Sequence, residues 1–154
     1  MSASKAWKAK TDPLFRGDAA HGVAVPVPDA DRSLVRHLLQ LESMGQPSPY
    51  LSASESEEVA QRFARDEGWV YQAKVPEWDA HKVRHVPFKE LLQLLRGNGK
   101  GDARWHSSAE VFEAACNVKR DFEHLADFGS IEPQSSEHSQ LTARTLFQRR
   151  RGKP

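Results

Sequence analysis

"PYLSASESEEVAQRFA" (49–64) joins two patterns that do not mix. Tyr50 to Ser54 is short and aromatic-apolar at its start, which predicts an extended strand. After it, Val59, Ala60, Phe63 and Ala64 recur at helical spacing behind a run of acids, which predicts a helix over 55–66. "SESE" (54–57) has the spacing of a capping box, with Ser54 accepting from the Glu57 amide and Glu57 returning the bond. Ser52 is different. It lies inside the extended segment, where no helix needs it, and a serine fills a half-buried strand poorly. If buried, its hydroxyl needs a partner in the fold or on a ligand.

Working outward, "GWVYQAKVP" (68–76) alternates Trp69, Tyr71, Ala73 and Val75 against Val70, Gln72 and Lys74, a strand closed by Pro76. "PLFRGD" (13–18) reads as a short strand ending at Arg16-Gly17-Asp18. "DRSLVRHLLQLESMG" (31–45) reads as a helix capped by Asp31 and stopped by Gly45, and "PFKELLQLLRG" (87–97) as another with Pro87 in its first turn. Residues 77–86 have no clear pattern. Residues 108–128 carry two. Val111, Ala115, Val118, Phe122 and Leu125 are helical in spacing, whereas Phe112, Ala114, Cys116 and Val118 alternate. Short strands mixed with helices, without regular βαβ alternation, place the chain in the α+β class.

At 154 residues, with 38% hydrophobic and 28% charged residues, the chain is long enough for one domain with a core and is not of disordered composition. We divide it into a loose arm (1–12), a domain (13–137) and a basic tail (138–154) that holds five cations and no acid. Cys116 is the only cysteine, so no intrachain disulfide forms, and its neighbours Ala114, Ala115 and Val118 suggest burial. No apolar run approaches the ~20 residues of a membrane span, and "MSASKAWKAK" lacks the apolar stretch of a secretory signal. The expectation is a cytoplasmic protein, or an effector delivered without a cleaved signal, and no membrane partner.

Few residues carry recognisable chemistry. Arg16, at a strand end, offers a fork of donors suited to a phosphate or ribose, or to a salt bridge. His81 and His85 have metal-like spacing but precede Val86-Pro87, lack a third ligand nearby and give no metal site; His106 is equally unspecific. "RGNGKG" (96–101) lacks the preceding strand and the following Ser or Thr of a phosphate loop. Glu110 and Glu113 lie in an otherwise apolar stretch. In a helix they belong to the wet face. In a strand, one of them would project into a cleft and stabilise positive charge on a substrate.

Taken in order, "LFRGD" (14–18), "YLSAS" (50–54) and "SAEV" (108–111) resemble the Arg…Ser-x-Ser…Glu pattern of the mono-ADP-ribosyltransferase superfamily, in its enterotoxin-like branch. There an Arg ends the first strand, a Ser-Thr-Ser strand leads into a helix, and a Glu-x-Glu or Gln-x-Glu motif follows later on a loop and strand. The resemblance covers roughly residues 13–120. It implies a split β-sheet core with flanking helices and a toxin or effector domain that cleaves the nicotinamide–ribose bond of NAD and passes ADP-ribose to a protein or nucleic acid. It also implies site residues. Glu110, Ser52 and Arg16 would be catalytic. Arg16, Gly17, Tyr50, Ser52 and Ser54 would bind NAD, with Tyr50 or Trp69 near the nicotinamide. A toxic enzyme would also need an immunity protein. The chain departs from the family in having Ala53 in place of Thr and Ser108 two positions before Glu110. Without an acid or Gln there, NAD hydrolysis on the same fold is an alternative. Were 108–128 helical, Glu110 would leave the site, and Glu113 or an acid elsewhere would have to serve. A non-catalytic interaction domain, docking through helices 31–44 and 88–96, and a nucleic-acid-binding module using the tail are the other readings.

Overall fold

The structure is a computed structural model that describes residues 7–8, 10–18, 26–28, 34–39, 48–64, 68–95, 108–129 and 136–149. In chain order these form β1 (Leu14–Asp18), α1 (Leu34–Leu39), β2 (Tyr50–Ser54), α2 (Glu57–Ala64), β3 (Trp69–Ala73), α3 (Val75–Ala80), β4 (Arg84–Val86), α4 (Phe88–Leu95), α5 (Ser108–Asp121), β5 (Glu123–Asp127), α6 (Ser136–Leu146) and β6 (Gln148–Arg149). The fold is mixed α+β. All strand pairs are antiparallel, in the order β4-β5-β2-β1-β3-β6.

The sheet has two halves. β2 and β5 share five register pairs, and so do β1 and β3. Between the halves, β1 and β2 meet at a single register pair, Phe15↔Ser54. Because side chains alternate along a strand, β2 sends Leu51 and Ala53 to one face and Tyr50, Ser52 and Ser54 to the other. The first face builds a core with Leu14, Tyr71, Trp78 and Phe147. The second builds one with Leu38, Leu91, Val118 and Leu125 beneath α1, α4 and α5. Every residue of β5, "EHLAD", is buried, because both of its faces are covered.

Several expectations change. Pro76 does not close a strand. β3 ends at Ala73, and Pro76 lies in the first turn of α3, where its missing amide has no helical partner to lose. This short helix buries Trp78 completely. Ser54 does not cap α2. The cap is Ser56, whose hydroxyl accepts from the Val59 amide at 3.3 Å. Residues 108–128 are neither one helix nor one strand: α5 gives way to β5 across Phe122 alone, which takes a left-handed φ of 48°. Cys116 is exposed rather than buried. Ala114 and Val118, four apart, point into the core, and Cys116 falls on the opposite side of the turn.

Residues 138–149 are not a tail. α6 and β6 belong to the fold, and Ala143, Leu146 and Phe147 are each 1% exposed. Nor is the arm loose at Trp7, which packs on the first core. The expected loop 97–103, Asp31, Gly45, His106 and residues 150–154 lie outside the described residues. Among the described residues, no helix is long and apolar enough to cross a membrane.

Candidate functional site

Where the two halves of the sheet meet, Arg16 spans them. Its Nε and Nη2 donate to the Asp18 carboxylate at 2.6 and 3.0 Å, and its Nη1 donates to the Ser52 carbonyl at 2.8 Å. The ion pair is largely covered, with side-chain exposures of 14% and 12%. A guanidinium carries five N–H donors, so two are not taken up by these bonds. Gly17, beside it, presses its Cα against α2 rather than against open space: a Cβ there would lie 1.8 Å from the Ala60 carbonyl oxygen.

Ser52 is half-buried on the opposite side of β2 from Ala53, and α1 comes down on it. Its hydroxyl is 2.9 Å from His37 Nε2, and His37 Nδ1 is 2.8 Å from the Ser48 hydroxyl. Ser48 Oγ also accepts from the Tyr50 amide at 3.0 Å. The Tyr50 ring, 5% exposed, meets the imidazole edge-on at 5.4 Å. Burial, and then the positive charge of Arg16, push the His37 pKa down to about 3. The imidazole is therefore neutral and a poor proton acceptor.

The acid at this site is Glu123, the first residue of β5 and the register partner of Ser54. It is 2% exposed, on the same face as Ser52 and Leu125. Neither carboxyl oxygen has a hydrogen bond of good geometry among the described residues. Burial raises its pKa to about 8. The nearby Ser52 hydroxyl opposes the rise and Asp121 adds to it, while Arg16 and Arg120 lower it. At neutral pH the group is uncharged. A buried carboxyl without a well-formed hydrogen bond is rare in a structural role and frequent at functional sites.

Glu110, expected to be the catalytic acid, stands in the first turn of α5 and is exposed, as is Glu113. It is eleven residues, about 16 Å of helix rise, from the Asp121 end where the site lies. The cause is the helical setting of 108–121, which turns both acids to water. Ser54 belongs to the frame of the site: its hydroxyl donates to the Asp121 carbonyl at 2.6 Å and accepts from the Ser56 amide at 2.9 Å. Trp69 is 42% exposed and pairs in register with Asp18, its ring under the Arg149 guanidinium at 3.9 Å. Asp121, two residues before Glu123, is buried and paired with Arg62 at 3.5 Å and Arg120 at 2.9 Å.

Thus Arg16 and Ser52 come together, Glu110 does not join them, and sequence reasoning missed His37, Asp121 and Glu123. The available signals were a histidine on the apolar stripe of the 31–45 helix and an acid-x-acid pair at 121–123.

A second polar cluster occupies the other face of β5. His124 Nε2 is 2.7 Å from Glu55, and its Nδ1 is 2.8 Å from His85 Nε2, with the two rings stacked. The Trp7 ring lies over both, 4.6 Å from His124 and 5.5 Å from His85. Burial, then His124, lower the His85 pKa to about 4. His81, at the end of α3, is exposed. No group of three or more His, Cys, Asp or Glu among the described residues could hold a metal ion.

Acid stability follows from these shifts. His37 and His85 resist protonation in the fold but take protons below about 6.5 when unfolded, so stability falls as pH drops below that value. Glu123 acts in the opposite sense down to its unfolded pKa near 4.5, one carboxyl against two imidazoles. The melting temperature should therefore decline steadily from about pH 6.5 to about pH 4; thermal melts followed by circular dichroism across this range check it.

No protein family, no curated protein and no solved structure matches this chain significantly.

Proposed function

We propose that the chain is an NAD-dependent ADP-ribosyltransferase domain in which Arg16, Ser52 and Glu123 form the catalytic set. The observation that carries this reading is the buried Glu123 carboxyl, without a hydrogen bond of good geometry among the described residues, on the same strand face as Ser52 and within the field of Arg16. The order Arg…Ser…Glu is kept, with Glu123 in place of Glu110. Asp121 supplies the acid two residues earlier that is absent before Glu110, and the pair lies at a turn entering a strand. A sheet whose halves meet at one register pair is also what a split-sheet core would present.

The chemistry suits the residues. NAD⁺ loses neutral nicotinamide when the bond from ribose C1′ breaks and its electron pair leaves with the ring nitrogen. Positive charge develops on the ribose. A carboxylate at Glu123, oriented by the Ser52 hydroxyl, stabilises that charge in a site with little water to screen it. The remaining N–H groups of Arg16 serve a phosphate or ribose oxygen. The acceptor then bonds to C1′ and gives up its proton. One observation favours water as that acceptor, which would make the domain an NAD glycohydrolase: the Asp121 carboxylate is already held by Arg62 and Arg120 and is not offered to a macromolecule.

The test is nicotinamide release from NAD⁺, with labelled ADP-ribose followed into protein, nucleic acid or free product. Wild type should release nicotinamide, Glu123→Gln should be slower by about 10²–10³-fold, and Glu110→Gln should match wild type. Equal inertness of wild type and Glu123→Gln would leave a non-catalytic interaction domain.

A further inference from the structure

We infer that Ser52, His37 and Ser48 form a proton path that carries the Glu123 proton out of the buried site. The inference rests on the proposed function for its purpose, but its first test does not need activity. An uncharged carboxyl cannot stabilise a ribosyl cation, so the acid must lose its proton when a cationic substrate arrives. Glu123 is 2% exposed and has no direct route to water among the described residues. It does have Ser52. From there the contacts run 2.9 Å to His37 Nε2 and 2.8 Å from His37 Nδ1 to the half-buried Ser48 hydroxyl.

Donor counting gives the chain two consistent states. With Glu123 protonated, its O–H faces Ser52 Oγ, the Ser52 hydroxyl donates to His37 Nε2, and His37 Nδ1–H donates to Ser48 Oγ. With Glu123 ionised, every bond reverses. Ser48 donates to Nδ1, Nε2–H donates to Ser52, and Ser52 donates to the carboxylate. Ser48 Oγ accepts from the Tyr50 amide in both states, within the one donor and two acceptor positions of a hydroxyl. Between the states each O–H or N–H bond in the path passes one proton along. The Glu123 proton moves to Ser52, that of Ser52 to Nε2, that of Nδ1 to Ser48, and the original Ser48 proton goes to water. One proton leaves in total, and the imidazole ends neutral as the other tautomer.

The groups around the path suit this role. Arg16 of β1 bears on both Glu123 and His37, and Asp121 and Arg120 of α5 bear on Glu123. Burial and the Arg16 charge disfavour an imidazolium, so His37 passes protons without storing one. A histidine that merely packed against Ser52 would keep one tautomer at every pH.

Nitrogen-15 spectra of the unliganded protein labelled at histidine, taken from about pH 6 to 10 with the Glu123 carboxyl carbon observed in parallel, test the inference. The expected result is that His37 changes from Nδ1–H to Nε2–H with the midpoint of Glu123, with no imidazolium. Glu123→Gln should hold the Nδ1–H form throughout, since its amide can donate to Ser52 but cannot ionise. One tautomer across the whole range in wild type, or a switch unchanged in Glu123→Gln, overturns the path. Should NAD⁺ cleavage be observed, Ser48→Ala should lower kcat more than tenfold and flatten its pH profile with KM little changed; an unchanged kcat also overturns it. Inert wild type with the tautomer switch present would count against the proposed function and leave the path standing.

Discussion

Glu123→Gln should stabilise the protein and, on the proposed function, slow NAD⁺ cleavage at the same time. The folded carboxyl titrates near 8, against 4.5 for the free group. At pH 7 the unfolded chain ionises it and the folded chain does not, so folding carries a penalty of about 3 kcal/mol at 1.36 kcal/mol per pH unit. Glutamine keeps the shape and removes the penalty. For a domain of this size the melting temperature should rise by roughly 6–12 °C at pH 7. The sign follows from the raised pKa: the wild type is least penalised below pH 4.5 and loses stability as pH rises through about 8. The two proteins should therefore melt together at pH 4, and the gap should widen up to pH 8. Scanning calorimetry at these two pH values decides it. A variant less stable than wild type at pH 8 would mean that the carboxylate is held by a partner. Gain of stability with loss of turnover would mark a group retained for chemistry rather than for folding.

Gly17→Ala should destabilise the protein strongly for so small a change. The added Cβ would lie 1.8 Å from the Ala60 carbonyl oxygen, 2.6 Å from the Ala64 nitrogen and 2.9 Å from the Ala60 carbonyl carbon. All three are backbone atoms of α2 and have no rotamer to change. The helix must lift from β1, separating a contact between two main elements and disturbing the neighbouring Arg16. A loss of about 3 kcal/mol or more is expected, read as a lower urea midpoint at unchanged m-value. The same argument applies at Gly68, where a Cβ would lie 2.1 Å from the Ala64 oxygen and 2.2 Å from the Asp18 oxygen. A change below 1 kcal/mol in Gly17→Ala would show that α2 rides higher over the sheet than described.

The fold was legible where one element ended in a recognisable signal. β2 occupies Tyr50–Ser54 as read from its pattern, and α2, β3 and α4 lie within their expected stretches. The α+β class followed from such pieces. The failure at 108–128 has a physical cause. The apolar spacing Val111, Ala115, Val118, Phe122, Leu125 crosses the point where helix becomes strand, and Phe122 turns the chain without the glycine or proline that would announce it. β5 then hides in plain view. "EHLAD" has the composition of a wet surface, yet all five residues are buried between two covered faces, with His124 and Asp127 held by polar partners. Hydropathy cannot reveal a buried polar strand. That Arg16 and Ser52 meet was anticipated through the order of motifs in the resemblance. Glu123 was not, because the acid had to be sought in a strand that the pattern did not show.

The one-residue turn at Phe122 also constrains how this protein can vary. Neighbours along β5 alternate between an acid on one face and an imidazole on the other: Glu123 beside Ser52, His124 beside Glu55 and His85. Deleting or inserting one residue in the turn while β5 kept its place beside β2 would exchange the two faces. A deletion would bring the imidazole into the first site, and an insertion would bring a carboxyl against Glu55 under Trp7. Both clusters would be lost through one change of length, with no functional side chain replaced. Across descendants of this chain, the segment from Asp121 to Asp127 should therefore keep its length.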